Sequence, residues 1–248
     1  MPFTFAHPAL ILPLLHRRRR WVSATGLVTG SIAPDFEKFI HFRLSSDYSH
    51  TWPSVFYFSL PMALVLGCCY HWVVRNPLVA NLPLGWYQRL VPFCRFSWGA
   101  HLRAHGAGVV LSILIGAVSH LAWDRFTHAG AGYMRYLPLL RAHVPVGSAQ
   151  VPLYALLATL SSVLGSLVVL LALYRLPRHS LEARPQLSRT PYWATLVGST
   201  LGIVAVWGAV ALPVRQFWDA PVAVLSCALL ALVVTSVIQR RRYLPLPE

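Results

Sequence analysis

Apolar residues along this chain do not alternate with polar ones at the strand period or the amphipathic-helix period; they run together in blocks. Five blocks, 53–74, 106–123, 152–174, 192–213 and 218–238, are almost free of charge, and each is near the roughly 20 residues a helix needs to cross a hydrocarbon core. Backbone amides find no water there, so blocks of this kind are helical. The pattern predicts an all-α fold, a polytopic membrane bundle of about five transmembrane helices forming one membrane domain over 1–248. Within it, 1–140 carries the polar motifs and 141–248 reads as a transmembrane scaffold.

The stretches between blocks qualify this picture. In 1–52 neither apolar run is long enough to span, so short or re-entrant helices are expected, with Pro34 marking a turn or a helix start. Arg89, Arg95 and Arg103 stand among Trp86, Tyr87, Phe93, Phe96 and Trp98, which suits a helix lying in the headgroup layer. The first span is expected to end near Arg75, and the second to continue through His128 to a stop at Gly130. Gly165 and Gly198 to Gly202 predict close packing through small residues.

Composition narrows the class. The chain is 56% hydrophobic and 11% charged, with a mean hydropathy of +0.56, outside the range of soluble domains. Lys and Arg total 21 against 7 Asp and Glu. Arg175, Arg178, Arg184 and Arg189 crowd one loop and Arg240 to Arg242 follow the last block, a distribution that reads as topology and not as nucleic-acid binding. By the positive-inside rule these arginines place the carboxyl terminus in the cytoplasm, with Arg215 alone between the last two spans; Arg17 to Arg20 argue the other way. The apolar run 8–15 precedes its basic cluster, so no cleavable signal peptide is read there. Cys68, Cys69, Cys94 and Cys227 lack CxxC spacing and read as small core residues.

Charge that remains in so apolar a chain points to chemistry. Asp35 and Glu37 precede His41, Asp47 precedes His50, and Asp124 lies between His120 and His128. Carboxylates beside imidazoles at membrane depth mark ion sites or proton paths. Four-residue steps turn about 400°, so His120, Asp124 and His128 share one helix face, roughly 6 Å apart per step. Asp124 then either bridges two ions or serves one ion with either neighbour. His7, Asp35 and His50 are candidates to complete the centre, since mixed nitrogen and carboxylate ligands suit zinc, manganese or iron. The competing reading is a structural polar cluster of buried, hydrogen-bonded histidines.

The stretches Met1-Pro2-Phe3-Thr4-Phe5-Ala6-His7-Pro8-Ala9, Gly30-Ser31-Ile32-Ala33-Pro34-Asp35-Phe36-Glu37, Ser49-His50-Thr51 and Ser119 to His128 resemble, in order and spacing, the motifs of a bacterial membrane family catalogued as domain of unknown function 4184. Trp52-Pro53 departs from a softer apolar pair in that pattern. The family is similar to YdjM-type inner-membrane metal-dependent hydrolases and, more distantly, to zinc-dependent phospholipase C. The resemblance implies that His7, Asp35, His50, His120, Asp124 and His128 are metal-site positions.

The expectation is a metal-dependent hydrolase of the bacterial inner membrane, holding one or two divalent ions, zinc first. It acts on a phosphoester of a lipid or lipid-linked substrate, with membrane lipids as its surroundings and no nucleic acid. Glu37 or Asp47 is the candidate general base and Arg125 the candidate clamp for the substrate anion. The alternative is a non-catalytic membrane protein that uses the same cluster for metal binding or proton-coupled transport.

Overall fold

A computed structural model describes residues 2–15, 21–128, 136–179, 189–210 and 219–240. Arg17 to Arg20, the Gly130 stop, Arg184, Arg215, Arg241 and Arg242 lie outside the described residues. A short turn, Thr4–Ala6, leads into α1 (Pro8–Leu15), followed by α2 (Ala24–Ile32), a turn at Ala33–Asp35 and α3 (Phe36–His41). Then come α4 (Val55–Asn81), α5 (Leu84–Leu90), a turn at Val91–Arg95 and α6 (Trp98–Thr127). A hairpin of β1 (His143–Val146) and β2 (Ala149–Pro152) precedes α7 (Leu153–Tyr174), α8 (Thr190–Val210) and α9 (Asp219–Gln239). The helices α4, α6, α7, α8 and α9 are long and apolar enough to cross a membrane, which makes this a multi-pass membrane protein by length and composition.

Three details depart from the hydropathy pattern. First, α4 runs past Arg75 to Asn81. It tolerates the arginine because the guanidinium donates to the carbonyls of Cys94 and Phe96, 3.0 and 2.8 Å away, and to Asn76 Oδ1, so the charge is not left unpaired. The helix widens into π turns at Val55–Ser59 and Tyr70–Val74, each just before a proline, Pro61 and Pro77, that withholds its N–H from the preceding turn. Second, α6 begins at Trp98, with a non-helical kink at His105 (φ −134°, ψ 26°). The residues expected to lie along the headgroups are thus divided among the end of α4, α5 and the start of α6. Third, the hairpin pairs His143 with Pro152 and Val146 with Ala149; Gly147, at φ 59°, supplies the positive dihedral its two-residue loop requires.

The described chain forms two compact units. One comprises Met1–Asp35, Asp47–Leu64 and Leu102–Leu173; the other Phe36–Ser46, Val65–His101 and Tyr174–Glu248. In the first unit α2 lies directly against α6. A Cβ on Gly26 would stand 2.8 Å from Val109 O, and one on Gly30 would overlap the backbone of Ile113. From the other side, Gly116 meets Leu27 O and Ser31 N. Backbone approach this close needs glycine on both helices. Ser23 N adds a bond to Ser112 Oγ at 2.8 Å, and Val55, Ala117 and Leu121 close an apolar cluster between α4 and α6.

In the second unit α9 buries the stripe Asp219, Ala223, Cys227, Ala231, Thr235 and Gln239 against α3, α8 and the later part of α4. Asp219 Oδ1 accepts the Leu44 N–H at 2.8 Å, and Gln239 Nε2 donates to Thr195 Oγ1. Gly165 does serve close packing, against Ala6 O. Gly198 and Gly202 do not: a Cβ at either would meet nothing within 4 Å among the described residues, because α8 turns that face outward.

Candidate metal centre

On α6 Gly108 meets Trp21, just before α2, while Ser112 and Gly116 meet α2 itself, and the same four-residue step continues to His120, Asp124 and His128. One winding stripe thus sets the interhelix distance and then presents the polar groups. The close approach brings Ser31 O within 2.7 Å of His120 Nδ1. A turn beyond Ser31, the segment Ala33–Asp35 delivers Asp35, fully buried. His50 arrives from the residues just before α4, its Nδ1 2.9 Å from Ser49 Oγ.

One ligand atom from each of Asp35, His50, His120 and Asp124 lies within 4.8 Å of the other three. Histidine and aspartate alternate around a ring: His50 Nε2 is 3.3 Å from Asp35 Oδ1 and 3.3 Å from Asp124 Oδ2. His120 Nε2 is 3.6 and 3.4 Å from the same two oxygens. Ligands set tetrahedrally around an ion at zinc-like bond lengths stand about 3.3 Å apart, so the ring has the dimensions of a coordination shell.

Hydrogen bonding tests whether the residues suit an ion. His50 Nε2, His120 Nε2 and Asp124 Oδ2 are buried and make no hydrogen bond. A carbonyl only accepts, so His120 Nδ1 donates to Ser31 O, and in the neutral form that a metal ligand takes, the ring's lone pair points from Nε2 at two carboxylate oxygens. Unsatisfied buried groups cost about 1–3 kcal/mol each, and lone pairs facing one another repel. A cation at their midpoint answers all three deficits, and imidazoles fixed at Nδ1, His120 by a carbonyl and His50 by the Ser49 hydroxyl, together with carboxylates are a donor set that binds divalent metals. The cluster is compatible with a divalent metal.

The other two stripe-derived or motif-derived residues touch this ring through Asp124. His7 Nε2 is 3.3 Å from Asp124 Oδ1 and its ring stacks on His120 at 3.8 Å. His7 is almost fully buried. Burial first, then the adjacent His120 ring, hold its pKa below the ordinary histidine value, against the pull of Asp124 and Asp35. His128 Nδ1 bonds Asp124 O at 2.9 Å and lies 3.6 Å from Asp124 Oδ1. All six residues therefore come together, four around one position and two on the far oxygen of Asp124.

Glu37 and Asp47 are not among the four. Glu37 is buried on α3 with Oε1 3.8 Å from His41 Nδ1, while Asp47 is exposed in the segment before His50. Arg125, next to Asp124 on α6, stacks its guanidinium 4.7 Å above the Trp52 ring. Reading the sequence for ionisable groups passed over Thr4, Ser31 and Ser49, which orient Asp35, His120 and His50. All three had a signal: each stands in the same short motif as a ligating-type residue.

No curated protein and no solved structure matches the chain. The family model for a domain of unknown function, DUF4184, matches residues 1–238, a span that includes the whole ring, four of the five long helices and all of α9 but its last residue. The chain belongs to the DUF4184 family.

Proposed function

We propose that this chain is a metal-dependent hydrolase of the bacterial inner membrane that cleaves a phosphoester of a lipid or lipid-linked substrate. The observation that carries the reading is the closely spaced ring of Asp35, His50, His120 and Asp124, in which His50 Nε2, His120 Nε2 and Asp124 Oδ2 are buried and make no hydrogen bond. Their nitrogen and carboxylate donors suit zinc first, with manganese or iron as alternatives. A divalent ion so held supplies Lewis acidity toward a phosphoryl oxygen and makes water acidic enough to attack near neutral pH.

The chain's own groups then have distinct tasks. His50 and His128 are the part-exposed members of the cluster, with side chains 22% and 30% accessible, so a substrate meets the centre on their side. Arg125, held on Trp52, offers a planar cation to the phosphate anion. Exposed Tyr48, Trp52, Phe56 and Tyr57 surround the start of α4, the aromatic signature of the headgroup level. Asp47, exposed and three residues before His50 in sequence, is the more accessible candidate base; buried Glu37 is the other. The motif resemblance to YdjM-type hydrolases and zinc-dependent phospholipase C supports the same class. Proton-coupled transport would call for carboxylates, histidines or basic groups along several spans, and α7 and α8 carry no Asp, Glu, His, Lys or Arg between Leu153 and Tyr174 or between Thr190 and Val210.

The test is hydrolysis of a phosphatidyl substrate by the detergent-purified chain in mixed micelles, with and without chelator. Chelator-sensitive release of phosphate or of a phosphorylated headgroup, lost in Asp124→Asn, is the expected result. Stoichiometric metal with no hydrolysis of any phosphoester would favour the non-catalytic alternative.

A further inference from the structure

Between Asp47 and Asp124 the chain carries four arginines, Arg75, Arg89, Arg95 and Arg103, and no acidic residue. Arg75 and Arg89 are buried, and among the described residues neither meets a carboxylate. The Arg75 guanidinium donates to Asn76 Oδ1, to His71 Nδ1 at 2.9 Å and to the carbonyls of Cys94 and Phe96. An imidazole that accepts at Nδ1 is neutral, so all four acceptors are uncharged. Arg89 donates to Leu176 O, and its guanidinium lies 4.6 Å from the centre of the Tyr174 ring. Neutral acceptors pair the N–H groups but do not cancel the charge, and a buried cation without a counter-charge is costly.

These groups sit together in the second unit. The turn Val91–Arg95 is fastened to the end of α4 by the Arg75 bonds and by His71, whose ring stacks at 4.9 Å on Trp98, just after the turn. Arg95, between the two residues whose carbonyls hold Arg75, is exposed. Helix α5, which carries Arg89, packs on the same turn and on the end of α4. Gln88 O accepts the His179 N–H at 3.1 Å, which ties the residues after α7, with exposed Arg175 and Arg178 among them, to α5. Tyr70, Trp72 and Phe93 are exposed, as aromatic rings are at the headgroup level. The positive-inside rule that puts Arg175 and Arg178 in the cytoplasm puts this end of α4 there too, in a leaflet rich in anionic lipid.

We propose that the end of α4, the turn Val91–Arg95 and α5 bind an anionic phospholipid of the cytoplasmic leaflet, whose phosphate contacts Arg95 and whose net charge balances Arg75 and Arg89. A lipid fits better than a free anion, because its phosphate is already held at the depth where a span ends and the exposed rings offer apolar surface to its chains. A zwitterionic lipid carries the same phosphate with a cation attached, so it brings no net counter-charge. The buried arginines are fixed before the lipid arrives, Arg75 by carbonyls and Arg89 by Leu176 and Tyr174, so little ordering cost remains.

The full chain, purified and delipidated in a maltoside detergent, is titrated with phosphatidylglycerol, phosphatidylcholine or inorganic phosphate, and bound lipid is counted by native mass spectrometry. Wild type is compared with Arg95→Gln, Arg75→Gln and, as a control, Arg141→Gln, an exposed arginine of the first unit. Phosphatidylglycerol is expected to bind about fivefold or more tighter than phosphatidylcholine. Arg95→Gln and Arg75→Gln each weaken it by about fivefold, Arg141→Gln leaves it unchanged, and inorganic phosphate does not displace it. Equal binding of the two lipids, or equal losses in Arg141→Gln and Arg95→Gln, would overturn the site. Displacement by inorganic phosphate at the lipid's own concentration would overturn the lipid assignment in favour of a free anion. Should Arg75→Gln not fold, Arg95→Gln decides alone, because that side chain is exposed.

Discussion

Asp124 is the residue on which the centre turns, because one oxygen faces His50 and His120 and the other faces His7 and His128. Replacing it with Asn keeps the shape and removes the charge that balances an ion. Asp124→Asn is therefore expected to lose metal by more than the about 10–100-fold typical of orienting groups, with its helix content and unfolding temperature in the absence of metal close to wild type. Titrating metal into both proteins by competition with a chelating dye measures this; retained affinity would make Asp124 structural. His7 predicts a pH effect in the metal-free protein. Its folded pKa lies below the unfolded value of about 6.5, so the unfolded chain binds the proton more tightly. Stability from this group is complete above that value and falls as pH drops below it. Unfolding temperatures measured between about pH 7.5 and 5 should decline more steeply for wild type than for His7→Gln.

The helices place these residues through contacts that hydropathy does not encode. The blocks and the HxxxDxxxH face were legible because length and four-residue spacing are properties of the sequence itself. The extension of that face through Ser112, Gly116 and Gly108 was equally regular, yet its meaning depends on Gly26 and Gly30 opposite. The length of α4 was misjudged because the carbonyls that satisfy Arg75 come from residues 94 and 96. The contrast among glycines makes a prediction. Gly30→Ala drives a Cβ into the Ile113 backbone, which has no flexible side chain to yield; a cost of about 1–3 kcal/mol is expected. It should also weaken metal binding, since the Ser31–His120 bond lies one residue on. Gly198→Ala and Gly202→Ala, facing open space, should change neither. Unfolding in detergent and metal titration check both arms, and a harmless Gly30→Ala would remove the proposed role of α2–α6 contact.

For the molecule as a whole, the five spans set which ends of the chain share a membrane face. Five spans crossing in alternation would put the segment before α4 and the end of α6 on one face, and the ring residues lie in the first unit. The same alternation would put the sequence after α7 and after α9, with Arg175, Arg178, Arg189 and Arg240, on the other. The positive-inside rule puts the latter in the cytoplasm, so a cysteine introduced at Ser45, in a background without the native cysteines, should react with an impermeant thiol reagent from outside, and one at Arg178 only from the cytoplasm. Reaction of position 45 from the cytoplasm alone would invert the assignment. Sequence alone could propose that residues 7, 35, 50, 120, 124 and 128 belong together, because acids are scarce in this chain, four of the seven stand beside histidines, and the motifs resemble those of one family. It could not show that four form the ring while His7 and His128 stand behind Asp124, since that division is made by backbone carbonyls and hydroxyls with no signature of their own.

The central claim is that Asp35, His50, His120 and Asp124 hold a divalent ion, and the metal content of the purified full-length chain tests it most directly. Elemental analysis of protein isolated without chelator is predicted to find at least one equivalent of zinc, manganese or iron per chain, falling to background in Asp124→Asn. Wild-type protein that folds, yet carries none of these metals and binds none when they are supplied, would contradict it.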